Sequence, residues 1–235
     1  MEAIVLAGGM GTRLKSVVSE IPKPMAPVDG RPFLEFLLAW LAKSGTSRAV
    51  LSVGYKWEVV RERFGSAYAG MSLDYAVEDT PLGTGGAVAL ALGRTTEDSI
   101  LVVNGDTAFP VDLAGLLRTH RESGAGATLA LKEMTEFDRY GTVELDARGR
   151  VAAFREKARC ARGAINGGIY AMDRAFLDGR GLPGRFSLEQ DVLEKEAGAG
   201  ALAGVVFDAP FLDIGIPEDY AKAADFLAAA GMSIP

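Results

Sequence analysis

The chain has 235 residues, of which 49% are hydrophobic and 24% are charged, a balance typical of a globular protein and too apolar for intrinsic disorder. The formal net charge of −6 gives no bulk attraction to nucleic acid or anionic lipid. No apolar run approaches the ~20 residues that a membrane span needs. One cysteine and one histidine exclude a disulfide framework, a cysteine-based zinc site and most histidine-centred chemistry.

The N-terminal residues carry no targeting signal. No basic segment precedes the first apolar run, so we expect no signal peptide, a cytoplasmic location, and neither a membrane nor a nucleic-acid partner. The chain shows no internal repeat and no Pro/Ser-rich linker. We therefore expect a single domain over residues 1–235, as a monomer or a homo-oligomer.

The first half of the chain alternates between predicted strands and helices. An apolar run at residues 3–7 stops at Gly8-Gly9 and predicts a buried strand, and residues 8–31 are expected to be irregular. A helix is expected from near Pro32, with Gly45 as its stop. Further strands are predicted at residues 48–53, 72–78, 99–103 and 127–133, and further helices at residues 56–64, 85–92 and 112–123. This alternation predicts a largely parallel sheet.

The second half is richer in short strands. Strands are predicted at residues 142–145, 151–155, 165–172 and 202–207, and helices at residues 188–196 and 217–230. We therefore expect an α/β fold with a Rossmann-like, doubly wound core, a mostly parallel mixed sheet and a small β-rich insertion. His120 falls on an amphipathic helix and is predicted to be exposed rather than catalytic, and its spacing to Cys160 does not indicate a thiol dyad.

A glycine-rich turn follows the first predicted strand. It reads Leu-Ala-Gly-Gly-Met-Gly-Thr-Arg-Leu at residues 6–14, followed after a spacer by Pro-Lys-Pro-Met-Ala-Pro at residues 22–27. Such a turn exposes backbone N–H groups to phosphate, and Arg13, Lys15 and Lys23 add cations. It lacks the Gly-Lys-Ser/Thr of a P-loop, and Leu14 stands where the dinucleotide fingerprint has its third glycine, which argues against an oxidoreductase. The alternative is a turn with solvated basic residues.

These stretches resemble the signature of the sugar-1-phosphate nucleotidyltransferases, and most of all the D-glycero-α-D-manno-heptose 1-phosphate guanylyltransferases. The similarity continues in residues 81–87, 139–143, 165–170 and 213–220. The resemblance implies a nucleotide-diphospho-sugar transferase fold and an enzyme that transfers the nucleotidyl group of an NTP, preferably GTP, to a sugar 1-phosphate, preferably the heptose, with release of pyrophosphate. Mannose 1-phosphate with GTP and N-acetylmuramate 1-phosphate with UTP remain alternatives.

The same resemblance implies the roles of the charged residues. Arg13 and Lys23 are the expected catalytic residues, with Arg13 on the leaving pyrophosphate and Lys23 on the α-phosphate. Asp106 and Asp213 are the expected ligands of Mg²⁺. Asp106 also follows a buried strand, at the sheet end where open parallel sheets bind ligands, although Asn-Gly-Asp is equally good turn chemistry. Asp213 precedes a helix, and Ile216 stands where the family has threonine.

Two further sets of residues are implied to contact the substrates. The expected nucleotide-binding residues are Leu6, Ala7, Gly8, Gly9, Gly11, Thr12, Gly83, Thr84 and Asp106. The expected sugar phosphate-binding residues are Gly141, Glu156, Lys157, Asn166 and Gly167, with Ala158 in place of the family's proline. Glu78 or Asp79 would accept from guanine N1 and N2, the alternative being that both are surface residues. Backbone N–H groups at the start of the helix near Gly85 could face base or phosphate.

The expected reaction suits a chain with a single histidine. The sugar phosphate is a competent nucleophile at neutral pH, so catalysis would consist of positioning and charge neutralisation rather than proton abstraction. The alternative from another functional class is a non-catalytic subunit that senses nucleotides. Such a relative should have lost Arg13, Lys23 or an aspartate, and all are present.

Overall fold

The computed structural model describes residues 1–9 and 21–234. Its strands are β1 (Glu2–Leu6), β2 (Pro27–Val28), β3 (Arg31–Pro32), β4 (Arg48–Val53), β5 (Ala67–Tyr68), β6 (Met71–Val77), β7 (Ser99–Asn104), β8 (Thr107–Ala108), β9 (Ala127–Phe137), β10 (Thr142–Leu145), β11 (Val151–Arg155), β12 (Cys160–Asp173), β13 (Leu202–Phe207) and β14 (Leu212–Asp213). Its α-helices are α1 (Phe33–Lys43), α2 (Trp57–Phe64), α3 (Gly83–Leu92), α4 (Leu113–Ser123), α5 (Glu194–Glu196), α6 (Pro217–Tyr220) and α7 (Ala223–Ala229). In this part of the chain no helix is long and apolar enough to cross a membrane.

The central sheet is mixed and mostly parallel, which confirms the predicted fold class. Its parallel core runs β6-β4-β1-β7, and β12 continues the sheet antiparallel to β7. Beyond β12 lie β9 and then β13, and the opposite edge is β5. The chain builds outward from β1 to β4 and β6, then crosses to β7 on the other side of β1. The carboxyl ends of β1 and β7 therefore form a topological switch point, where such sheets bind ligands.

Strand β1 is apolar from Ala3 to Leu6, because helices cover both faces of the sheet. Ala3 and Val5 pack into one buried cluster with Leu37 of α1, whereas Ile4 packs into a second cluster with Val88 of α3. All these side chains are fully buried. A continuous apolar run is what a parallel strand covered on both faces requires, and it explains why the sequence shows no alternation there.

Strand β12 is longer than predicted and pairs with different neighbours along its length. Its second half, from Ile169, pairs with β7, whereas Ile165 in its first half pairs with Thr142 of β10. Opposite β9 the register shifts between Asn166 and Ile169, which is the bulge that a Gly-Gly pair favours. Gly168 adopts a φ of +71° there, and a Cβ on Gly167 would lie 2.5 Å from the ring of Phe109. The β10–β11 hairpin beside β12 is the predicted β-rich insertion.

Two predicted helices differ from the structure. The helix expected at residues 217–230 is divided into α6 and α7, because Lys222 N donates to Asp219 O and tightens the chain between them. The Tyr220 hydroxyl donates to Pro27 O, which connects this turn to β2. The helix expected at residues 188–196 begins as a π-helical turn, Glu189–Leu193, before the short α5.

The prediction that His120 is exposed is wrong. Its side chain is 1% exposed, because it continues the buried face of α4 formed by Leu113, Leu116 and Leu117. The ring nitrogens lie 3.0 Å from Thr128 Oγ1 and 3.0 Å from Asp173 Oδ1. A histidine at the helical spacing of a core face is therefore a hydrogen-bonded core residue that joins α4 to β9 and β12.

We expect His120→Ala to lower the free energy of unfolding by about 2 kcal/mol, because it leaves a cavity and removes the partner of the buried Thr128 hydroxyl. Urea denaturation measures this loss, with the exposed neighbour substitution Arg121→Ala as the control. His120 lines neither of the cavities described below, so steady-state kinetics of the folded variant should match the wild type. A kinetic defect without a loss of stability would contradict this structural role.

Candidate active site

Two cavities open at the switch point between β1 and β7. The turn after β7 lies directly against β1, where Gly105 N donates to Leu6 O at 3.0 Å. A Cβ on Gly105 would lie 2.6 Å from that carbonyl oxygen, so the glycine permits this close approach. Asp106, the next residue, lines both cavities.

The first cavity, of about 560 Å³, contains most of the predicted nucleotide-binding residues. It is lined by Leu6, Gly8, Gly9, Lys23, Pro24, Gly54, Tyr55, Glu78, Asp79, Pro81, Gly83, Thr84, Ala87, Asn104 and Asp106. Ala7 is buried, with its N–H donated to Ser52 O, and does not line this cavity. Gly11, Thr12 and the predicted catalytic Arg13 lie outside the described residues.

The second cavity, of about 990 Å³, contains the whole predicted sugar phosphate-binding set. Gly141, Glu156, Lys157, Asn166 and Gly167 all line it, together with Asp213. Glu156 and Lys157 lie at its exposed rim, whereas Gly167 is buried. The two cavities share Gly9, Lys23, Asn104 and Asp106 in their linings. Groups bound in the two cavities would therefore meet beside Lys23 and Asp106.

The two predicted metal ligands come together through a short strand pair. β14 pairs with β8 so that Asp213 stands opposite Thr107, and Ile214 N donates to Asp106 O at 3.0 Å. Lys23 forms an ion pair with Asp106, and its Nζ lies 3.9 Å from Asp213 Oδ1. Lys23 begins a 3₁₀ turn that is closed by Met25 N donating to Pro22 O. Three segments distant in sequence thus place one ammonium group between two carboxylates.

The charges at this junction favour a cation. Burial and the neighbouring Asp106 charge raise the pKa of Asp213 above its usual value, and Lys23 opposes this effect. Two adjacent carboxylates supply hard oxygen donors of the kind that Mg²⁺ accepts, with phosphate oxygens and water as the usual remaining ligands. The donor set therefore fits Mg²⁺. Within residues 1–9 and 21–234 no group of three or more His, Cys, Asp or Glu side chains forms a protein-only metal site.

The glycine-rich start of α3 packs against the segment around Phe186, so the N–H groups of Gly85 and Gly86 do not face a ligand, contrary to the expectation. Gly85 N and Gly86 N both donate to Phe186 O. A Cβ on Gly85 would overlap the Phe186 ring, and one on Gly86 would lie 2.8 Å from Gly184 O. Gly83, at a φ of +73°, and Thr84 remain in the cavity lining. A glycine-rich helix start cannot reveal from sequence whether a ligand or another segment occupies the space.

The acidic pair before α3 lies in the first cavity. Glu78 is half-buried, and its Oε2 accepts from Leu82 N at 2.9 Å. A Cβ on Gly8 would lie 2.6 Å from Glu78 Oε1, so the glycine leaves room for this carboxylate. Asp79 is exposed at the rim. Glu78 is thus not a simple surface residue.

Several cavity residues escaped the sequence analysis. Arg139 lies in a stretch that carried the family resemblance, and its side chain pairs with Asp219 at 2.5 Å on the wall of the second cavity. Glu189 gave no signal, since it lies in an ordinary helical pattern. Its contacts with Tyr170 and Thr84 depend on tertiary packing.

Comparisons with known proteins agree with this geometry. The model of the nucleotidyl transferase family matches residues 2–230. The chain is 50% identical to a D-glycero-α-D-manno-heptose 1-phosphate guanylyltransferase of Aneurinibacillus thermoaerophilus, over 95% of this chain and 96% of that protein. It is 44% identical to a protein of the same name from Campylobacter jejuni, over 94% and 97%.

A solved structure has the same fold. HddC from Yersinia pseudotuberculosis, in complex with GMP-PN, superposes with a TM-score of 0.85 at 35% identity, covering 95% of this chain and 98% of that one. The match extends over the core sheet and the β-rich insertion alike, since so little of either chain lies outside it. From its sequence and its fold, this chain belongs to the nucleotidyl transferase family of enzymes.

Proposed function

We propose that the chain transfers the guanylyl group of GTP to D-glycero-α-D-manno-heptose 1-phosphate, giving GDP-heptose and pyrophosphate. The carrying observation is the pair of cavities that meet at Lys23 and Asp106. The choice of GTP and heptose is supported by the names of the relatives from Aneurinibacillus and Campylobacter. The proposal places this reaction in the cytoplasm, where GTP is available.

Catalysis in this proposal consists of positioning and charge compensation. The sugar phosphate attacks the α-phosphorus from the second cavity while pyrophosphate leaves from the first. Lys23, at the junction, would hold the α-phosphate and offset the repulsion between the two polyanions. Arg13, outside the described residues, would contact the leaving pyrophosphate. No group needs to remove a proton from the nucleophile.

Asp106 and Asp213 are the proposed ligands of Mg²⁺. When bound, the metal ion would supply positive charge that offsets the negative charge of the substrate phosphates. The two aspartates would hold it at the junction, because the β8–β14 pairing keeps their carboxylates adjacent. Lys23 already offsets part of the negative charge of the two aspartates, so the ammonium group and the metal ion would both lie beside these carboxylates.

The second cavity is the proposed sugar subsite. Lys157 would neutralise the acceptor phosphate, and Glu156 and Asn166 would bond sugar hydroxyls. Gly141 and Gly167 keep the wall close to the backbone, since a Cβ on Gly141 would overlap Arg155 O. On the nucleotide side, Glu78 or Asp79 would accept from N1 and N2 of guanine.

The alternatives differ in the base, the sugar or the activity. Mannose 1-phosphate with GTP, and N-acetylmuramate 1-phosphate with UTP, would use the same junction with different pocket walls. A nucleotide-sensing subunit without catalysis is disfavoured by the intact Lys23, Asp106 and Asp213.

A crossed substrate panel tests the proposal. The protein is incubated with Mg²⁺ and each of four NTPs, crossed with heptose, mannose, glucose and N-acetylmuramate 1-phosphates, and pyrophosphate release is followed. We expect GTP with the heptose phosphate to exceed other pairs by about tenfold or more. Reactions without acceptor are the control. Preference for another pair would replace the proposed substrates, and no release from any pair would overturn the transferase proposal.

A further inference from the structure

Glu189 lines the second cavity, and its carboxylate accepts hydrogen bonds from Tyr170 and from Thr84, a residue of the first cavity. We propose that this carboxylate is a positioning residue that holds the acceptor-side amide of Asn166 through Tyr170 and the nucleotide-side loop through Thr84. The inference rests on the proposed function, since it assigns Asn166 to the sugar subsite and Thr84 to the nucleotide subsite. It adds a residue that connects the two.

The hydrogen bonds that connect Glu189 to Asn166 through Tyr170, here called the acceptor arm, all donate in one direction. Asn166 Nδ2 donates to the Tyr170 hydroxyl oxygen at 2.8 Å, while Gly168 N donates to Asn166 Oδ1 at 3.1 Å. Tyr170 is fully buried, and it donates its own proton to Glu189 Oε1 at 3.3 Å. Burial and the Glu189 charge raise the pKa of Tyr170 well above its usual value, so the phenol remains a donor. Both ends of the Asn166 amide are therefore fixed, and its second N–H, which has no partner among residues 1–9 and 21–234, is open to a ligand oxygen.

The hydrogen bonds that connect Glu189 to the start of α3 through Thr84, here called the nucleotide arm, also have a defined donor order. Leu188 N donates to Thr84 Oγ1 at 2.9 Å, so the Thr84 hydroxyl proton is free to bond Glu189 Oε2 at 2.7 Å. Ser187 Oγ donates to the same carboxylate oxygen at 3.1 Å. Thr84 follows Gly83 at the start of α3, and both line the first cavity. The Glu189 carboxylate thus anchors the loop that borders the proposed nucleotide subsite.

A carboxylate suits this position because it only accepts. Three hydroxyl groups, those of Tyr170, Thr84 and Ser187, donate to Glu189. A glutamine of the same shape would turn an N–H₂ group toward one arm, where the hydroxyl proton already points. In that arm the hydroxyl group would then lose its acceptor, or it would have to accept from the new amide and donate elsewhere. Either change would release Asn166 or Thr84 from its present orientation.

Three variants separate the two arms. Tyr170→Phe removes the hydroxyl of the acceptor arm, and Thr84→Val removes that of the nucleotide arm. Glu189→Gln disturbs their common acceptor. Glu196→Gln is the matched control, because it replaces a carboxylate by an amide in the helix that follows Glu189, and Glu196 pairs with Arg180 and lines neither cavity.

The measurement is steady-state kinetics of pyrophosphate release with GTP and the sugar 1-phosphate that the wild type uses best. We expect Tyr170→Phe to raise KM for the sugar phosphate about tenfold and leave KM for GTP unchanged. Thr84→Val should do the reverse. Glu189→Gln should raise at least one KM by the same factor, and Glu189→Gln combined with Tyr170→Phe should change KM for the sugar phosphate by less than the product of the two single effects. Glu196→Gln should keep both KM values.

The opposite outcomes are equally clear. Wild-type KM values in a folded Glu189→Gln protein would overturn the positioning role. Equal changes of both KM values in Tyr170→Phe and in Thr84→Val would also overturn it, because a general loss of packing produces that pattern. Thermal melts of the variants would reveal such a loss. Binding of GTP alone and of the sugar phosphate alone is measured by calorimetry on the same variants. A wild type that binds both but releases no pyrophosphate overturns the proposed function, whereas an active wild type with unresponsive variants overturns this inference alone.

Discussion

Replacing Asp106 by alanine should remove most turnover, with a fall in kcat/KM for pyrophosphate release of about 10²- to 10³-fold. The carboxylate stands where both cavities meet, pairs with Lys23 and lies beside Asp213. Without it the proposed Mg²⁺ site keeps a single protein carboxylate, so raising the Mg²⁺ concentration should not restore the rate. Removal of divalent metal from the wild type with a chelator should produce the same loss.

The fold should survive this substitution. Asp106 accepts from Ile214 N through its backbone carbonyl, which alanine retains, so the β8–β14 pairing persists. Asp178→Ala, at an exposed position outside both cavities, is the matched control and should retain full activity. Near-normal pyrophosphate release by Asp106→Ala would contradict the metal assignment.

Replacing Lys23 by methionine should lower kcat/KM by a similar factor, about 10²- to 10³-fold. Methionine keeps much of the apolar length and removes the ammonium group between Asp106 and Asp213. The two carboxylates then repel each other and the incoming phosphates without compensation from this residue. Backbone bonds close the surrounding 3₁₀ turn, so the thermal melt should change little.

The control for this change is Lys43→Met, which removes a charge at the exposed end of α1. If the loss in Lys23→Met comes from charge, Lys23→Arg should recover part of the rate, because it restores a cation in altered geometry. A rate within about threefold of the wild type for Lys23→Met would exclude the proposed role at the α-phosphate; catalytic effects of that size are below those of groups that stabilise transition-state charge.

The sequence predicts most of the core strands well, and the reason is local. The strands at residues 48–53, 142–145, 151–155 and 202–207 have the predicted bounds, since each is a β-branched or alternating run bordered by turn residues. Asp112 caps α4 as its position suggests, by accepting from Gly115 N at 2.9 Å. β12 begins five residues earlier than predicted, because residues 160–164 continue the antiparallel pairing with β9.

The individual site residues could be predicted from the sequence, but the contacts that bring them together could not. The family resemblance selected Lys23, Asp106 and Asp213, but their meeting depends on two-residue strands, β8 and β14, that carry almost no sequence signal. Glu189 could not be found for the same reason. Its partners Thr84 and Tyr170 are distant along the chain, and a single glutamate in a helical pattern gives no indication of what it bonds.

The two halves of β12 pair with different strands, and this divides the strand into a core half and a peripheral half. The half that pairs with β7 is part of the core beside the reaction centre, while the half that carries Asn166 is bordered by the β10–β11 hairpin. Residues of that hairpin line the second cavity, so we expect substitutions there to reshape the proposed acceptor pocket while the core pairing of β12 remains in place. Under the proposed function, we therefore expect a change of carbohydrate acceptor to need substitutions in this peripheral hairpin and not in the half of β12 that pairs with β7.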